Sequence, residues 1–459
     1  MTPVPISMLR GNTQRAEVGS AYAIMEKHLF KNPNKAGSAF RGVAFLAAAL
    51  CSSTAIAQDA LEVWSRSGPQ AAETYKAVFA AFTEKTGIPV EYLATVEFET
   101  QLQARAAAKD LPDVLIYDQA SMAAYANAGM ILPVVPEDFA GHDQLSEASW
   151  DSVRMADGAY YGVPFSQHAQ VTFIRSDWRE KLGFEVPKTH DELVALATAF
   201  ATQDPDGNGT DAETYGMAVP GTTDRGFFTW WLSSYMMQRG GSFVTGGEGK
   251  YTVTVNSPES VGAVEWIQNL FCGTPSLVQP GALTNASATP FFAENHAGIY
   301  QTGPYAFANF DKAPGKDKYE IVIAPEGPGG KTTLTERTSI YFGATSSQPE
   351  NQKALAEFLI SPEAQTLGMT APGQPVVRLP VNTTLNAAEI YGDERWAVVA
   401  EQLEDSQLMP SDIDFTTARL DIAETFQAMF SQCTSDIQGD LDDLAGRISD
   451  ELSMQNALQ

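Results

Sequence analysis

From Ala60 to Tyr117 the chain alternates short apolar runs with segments of helical period, and this alternation constrains the fold more than any other feature. ALEVW (Ala60–Trp64) is rich in β-formers and closes on polar Ser65, Arg66 and Ser67. Ala71–Thr86 spaces Tyr75, Val78, Phe79 and Phe82 as one helix face, and Gly87-Ile88-Pro89 stops it. VEYLA (Val90–Ala94) reads as a strand, Phe98–Ala108 as a helix and DVLIY (Asp113–Tyr117) as a buried strand. Such β-α-β-α-β order predicts a mostly parallel sheet in an α/β fold. In open α/β sheets ligands sit beyond the carboxyl ends of strands, which here are Ser65-Arg66-Ser67 and Tyr117-Asp118-Gln119.

Ser121–Gly129 reads as a further helix, Tyr160–Pro164 precedes polar Ser166-Gln167-His168, and Gln170–Ile174 is strand-like. A second α/β unit follows: helices are expected near Asp191–Ala201, Ser260–Phe271 and Ala354–Ile360, and from Trp396 onward. Strands are expected at Tyr215–Val219, Ala297–Gln301, Tyr319–Ala324 and Ser339–Gly343, with Thr302-Gly303-Pro304-Tyr305 a turn that opens a helix.

Upstream, RGVAFLAAALCSSTAIA (Arg41–Ala57) has a basic residue, an apolar run too short to span a bilayer, and the small-x-small ending Ala55-Ile56-Ala57. Residues 1–57 are therefore expected to be an export leader cleaved after Ala57, with translation starting at Met1 or at Met25, and the product periplasmic. A lipid anchor at Cys51 would need a small residue before it, and Leu50 stands there. Without the leader, 23 basic and 54 acidic side chains remain, a surface that repels nucleic acid and anionic lipid. About 400 residues at 44 % hydrophobic content are too many for one core, so two lobes are expected. Two cysteines remain, Cys272 and Cys433; an even pair in an exported chain suggests a disulfide, with two buried free thiols as the alternative.

The order of the motifs LEVW…FTEKTGIPVEY, LPDVLIY…YANAGMILPV, YYGVPF and FFAENHAGIYQTGPYAFANF resembles the extracellular solute-binding proteins of ABC importers, in the group containing maltose- and glycerol-phosphate-binding proteins. The resemblance implies a two-lobed α/β fold, each lobe a mixed sheet flanked by helices, with ligand in the cleft between lobes. It implies one lobe of residues 58–165 plus about 341–391, and another of about 166–340 plus 392–459. Ser166–Ala169 and Ser339–Gly343 then look like hinge crossings, and Cys272 and Cys433 fall in the same lobe, which supports their bridge. The partners implied are a small-molecule ligand, carbohydrate first, and ABC permease transmembrane subunits; no cofactor and no nucleic acid are implied, and a monomer is expected.

A sugar offers apolar faces and a hydroxyl rim, so its site needs aromatic platforms and directional polar groups. On the resemblance, Ser65 and Arg66 follow the first strand, and Tyr117 and Asp118 the third. Where maltose binders carry an acid and a base shortly after, this chain has Ala120 and Ser121, which puts maltose itself in doubt. Gln167 and His168 stand at the hinge; of Trp230 and Trp231, one is expected to face the cleft and the other the core. Gly303 would admit close approach of a ligand, Tyr305 is the stacking candidate, and Arg378 matches a basic position near the cleft. Arg66, His168 and Arg378 together would suit a phosphorylated, sulfonated or carboxylated polyol as the alternative ligand. Asp204–Thr210 resembles half a calcium loop, but turn chemistry explains it more simply, and no metal site is expected. The competing class, an exported glycoside-acting enzyme, would use paired carboxylates; the chain has no G-x-S-x-G elbow, H-E-x-x-H or P-loop, and no catalytic residue is assigned.

Overall fold

The structure is a computed structural model that describes residues 59–459. The expected leader, Cys51 included, lies outside the described residues. Among the described residues thirteen strands form, in chain order β1 (Leu61–Ser65), β2 (Val90–Ala94), β3 (Val114–Asp118), β4 (Val163–Ala169), β5 (Val171–Ile174), β6 (Tyr215–Met217), β7 (Val244–Gly247), β8 (Lys250–Val253), β9 (Ala297–Thr302), β10 (Glu320–Val322), β11 (Thr333–Phe342), β12 (Leu379–Pro380) and β13 (Ser406–Gln407). The larger sheet runs β12-β4-β11-β3-β1-β2, with β13 on β11; the smaller runs β10-β5-β9-β6; β7 and β8 make a separate ribbon.

The first expectation holds only in part. β1 pairs parallel with β2 and with β3, as β-α-β connections require. Beyond β3 the sheet turns antiparallel, because the ten-residue β11, from late in the chain, inserts between β3 and β4. The sheet is therefore mixed, and helices flank both sheets. The polar segment Ser166-Gln167-His168 lies inside β4, and the chain passes to the smaller sheet at Gln170.

Local chemistry explains the helices that set these strands. Pro69–Thr86 starts with Pro at its first turn and ends on Gly87 in the left-handed region (φ 78°), whose N–H caps Thr83 O. His190–Thr202 opens with a capping box in which Thr189 and Glu192 satisfy each other's backbone N–H. One apolar core packs Val63, Phe82, Phe98, Leu115 and Phe165 around the larger sheet. Another joins Phe228, Trp231, Tyr235 and Ile267 to the C-terminal helices Thr416–Gln432 and Ile437–Met454. Cys433, just past the first of these helices, is bonded to Cys272 at the end of Pro258–Cys272.

Candidate functional site

A cavity of about 330 Å³ opens between the residues that end β1 and β3, the middle of β11 and the loops of the smaller sheet. Of the residues expected from sequence, Arg66, Tyr117, Asp118, His168, Trp230, Tyr305 and Arg378 line it. Ser65, Gln167, Trp231 and Gly303 do not, and each has a packing reason. Ser65 is buried with its Oγ 2.6 Å from the Tyr92 hydroxyl. Gln167 donates to Pro380 O across the β4–β12 ladder. Trp231 packs on Phe228, Tyr235 and Phe271 in the second core, while Trp230, one residue earlier on the same helix, faces the cavity. Gly303 is needed for protein packing: a Cβ there would stand 2.7 Å from His168 Nε2 and 2.4 Å from the Tyr305 ring.

The aromatic rings of the wall are not bare platforms. Tyr117 is stacked on Phe98 at 4.4 Å and is 2 % exposed, with the Arg225 guanidinium 5.6 Å from its centroid. The Arg378 guanidinium lies 5.4 Å from the Tyr305 centroid, and His168 meets the same ring edge-on at 5.6 Å. Arg419 lies 4.3 Å from the centroid of Trp230. The three arginine contacts are cation–π pairs, each covering part of a face a sugar would use.

Charged groups give the cavity its second character. Arg225 follows β6 with φ 54° in the left-handed region, and its side chain reaches elements of the larger sheet's layer. It pairs with Glu99 at 2.6 Å and Asp118 at 3.1 Å and donates to the Tyr117 hydroxyl, which itself donates to Glu99. Burial opposes the guanidinium charge, but Asp118, Tyr117 and Glu99 outweigh it and raise the Arg225 pKa. Burial also works to raise the Glu99 carboxyl, and the Tyr117 hydrogen bond and Arg225 hold it below its ordinary value. On the far wall, His168 Nε2 is 3.3 Å from Glu336. Burial lowers the His168 pKa against the pull of Glu336 and leaves a neutral imidazole at pH 7. Glu336 is held low, burial being outweighed by His168 and Arg378. Arg337 is pushed down to about 10 by burial.

Arg225, Glu336, Arg337 and Gln374 are lining residues that sequence reasoning missed. The signal for Arg225 is weak: it stands five residues before Trp230, the cleft candidate, with no motif of its own. Glu336 and Arg337 sit mid-strand, where alternation alone does not say which face meets a cavity. Asp204 spends its oxygens on backbone N–H groups of Gly207 and Gly209, and the described residues hold no cluster of His, Cys, Asp or Glu arranged for a metal.

The bacterial extracellular solute-binding protein family matches residues 68–366. The fructooligosaccharide ABC transporter substrate-binding protein FusA of Streptococcus pneumoniae is 22 % identical over 346 residues, 70 % of this chain; the chain spans only 61 % of that relative's length. A solute-binding protein of Thermotoga lettingae, solved bound with alpha-D-tagatose, superposes with TM-score 0.73 at 20 % identity over 86 % of this chain and 100 % of its own. The maltose-bound MalE3 of T. maritima superposes with TM-score 0.72 at 22 % identity, again over 86 % and 100 %. These structures share the two-lobed fold with a cleft between lobes. With the family match covering well over half of its residues, the chain belongs to the bacterial extracellular solute-binding proteins.

Proposed function

We propose that the protein captures a carbohydrate in the cavity between its two sheets and hands it to an ABC permease. The observation that carries this reading is the convergence of seven expected residues, from six separate stretches of chain, on one cavity. Its volume of about 330 Å³ suits a small ligand. The names of similar proteins point the same way, toward fructooligosaccharide, tagatose and maltose. Arg225 joins the two sides of the cavity, and closure over a ligand would be a hinge motion about the Gln170 crossing. The protein acts as an exported monomer, released from residues 1–57 by cleavage.

Thermal unfolding with a panel of mono- and disaccharides tests this. A ligand at 100 times its Kd adds about 2.7 kcal/mol to stability. Tyr305→Ala is expected to weaken the best ligand at least about tenfold by removing the ring on which His168 and Arg378 pack. Unchanged affinity would remove Tyr305 from the site.

A further inference from the structure

The cavity carries more positive charge than the protein around it would suggest. The chain has formal charge −27, yet Arg66, Arg225, Arg337 and Arg378 line the cavity against two carboxylates, Asp118 and Glu336. Asp118, with Glu99 behind it, answers Arg225, and Glu336, 3.3 Å from the neutral His168, is the one lining carboxylate left to answer Arg378 through space. Among the described residues no carboxylate oxygen comes within 4.0 Å of Arg66, Arg337 or Arg378. Arg337 has one side-chain hydrogen bond, from Nη1 to Ala148 O at 2.7 Å, and its Nε is buried without a partner. The Nε of Arg378 is likewise buried and unpartnered, and its guanidinium rests on the Tyr305 ring.

A guanidinium withdrawn from water without a counter-charge is costly, and a bound anion removes the cost. Its planar fork of donors fits an oxyanion two bonds at a time. The aromatic faces lead to the same conclusion, since Tyr117, Trp230 and Tyr305 each already hold an arginine. A neutral sugar finds few open faces here, whereas a sugar with an oxyanion finds unspent donors.

We propose that the ligand is a carbohydrate bearing an oxyanion, bound by Arg337 and Arg378 inside the cavity and by Arg66 at its mouth. This rests on the cavity being the carbohydrate site. The acidic exterior opposes long-range approach of such a ligand, but screening confines that repulsion to about 8 Å at physiological salt, and pairing inside a closed cleft is stronger.

Titration calorimetry on the exported protein with matched pairs tests it: galactose against galacturonate, glucose against glucuronate, and glucose against glucose 6-phosphate. The anionic member of at least one pair is expected to bind at least about tenfold more tightly, and whether it is a carboxylate or the phosphate identifies the oxyanion. Arg66→Gln, at an exposed position where folding is not at stake, and Arg378→Gln should each lower the anionic member's affinity at least about tenfold and the neutral member's by a smaller factor, so that the preference shrinks. Neutral members binding as tightly as anionic ones would overturn the oxyanion and leave carbohydrate capture standing. Binding by neither member of any pair would overturn both.

Discussion

Trp230 and Trp231 are neighbours on one helix and lie in two different physical environments. Trp231 stacks on Phe228 in a core of aromatic and aliphatic side chains and is 1 % exposed. Trp230 lies under the Arg419 guanidinium on the wall of a cavity where arginine nitrogens lack partners. Both sides leave buried polar atoms without a partner, and the difference is their charge: in the core these are the neutral groups Trp231 Nε1, Tyr235 OH and His190 Nδ1, although His190 stacks on Trp266 at 4.5 Å and meets Gln238 Oε1 at 2.9 Å. At the cavity they are the guanidinium nitrogens Arg337 Nε and Arg378 Nε. The difference teaches that stability and binding are separated by about one residue's rotation on a helix.

The largest effect that would break this comparison is in the core. Trp231→Ala is expected to cost about 4 kcal/mol, and Trp230→Ala about half that, because one side of Trp230 already faces the cavity. Denaturant unfolding measures both, and equal losses would erase the distinction between the two walls.

Next comes pH. Burial lowers the His190 pKa from 6.5 to about 4, so below pH 6.5 the unfolded chain binds a proton that the folded chain does not. The contribution is full above about pH 6.5 and is lost as pH falls toward 4, about 3 kcal/mol in all. His190→Gln should flatten the stability curve across that window; a curve unchanged in shape would place its cause elsewhere.

The smallest effect sharpens the comparison from the cavity side. Arg225→Gln removes the link from the β6 side to Glu99 and Asp118, whose oxygens can be rehydrated in an open cleft. Global stability should fall by only about 1 kcal/mol, while small-angle scattering of the unliganded protein shows a larger radius of gyration. A large stability loss with no change in radius would make Arg225 a structural residue and not a clasp.

Much of the fold was legible because it is written in local period. Tyr75, Val78, Phe79 and Phe82 mark one helix face, and all four are buried. The strand ends that position Arg66 and Asp118 followed from the same reading. The antiparallel half of the larger sheet was not legible, because β11 pairs with strands more than 160 residues earlier and no local pattern encodes that partner.

The site divides in the same way. Sequence order, through a family resemblance, brought forward Arg66, Asp118, His168, Tyr305 and Arg378, all of which line the cavity. It also brought forward Ser65, Gln167 and Gly303, whose side chains or space are used by the protein itself. By itself the sequence determined the α/β elements, the acidic surface and the strand ends where a ligand site forms, because each depends on neighbouring residues or on composition. Only the tertiary structure decided which tryptophan faces the cavity, that Arg225 joins its two sides, and that Arg337 and Arg378 stand there with no described carboxylate within 4.0 Å. Those facts depend on distances between segments far apart in the chain, which packing sets and local spacing does not.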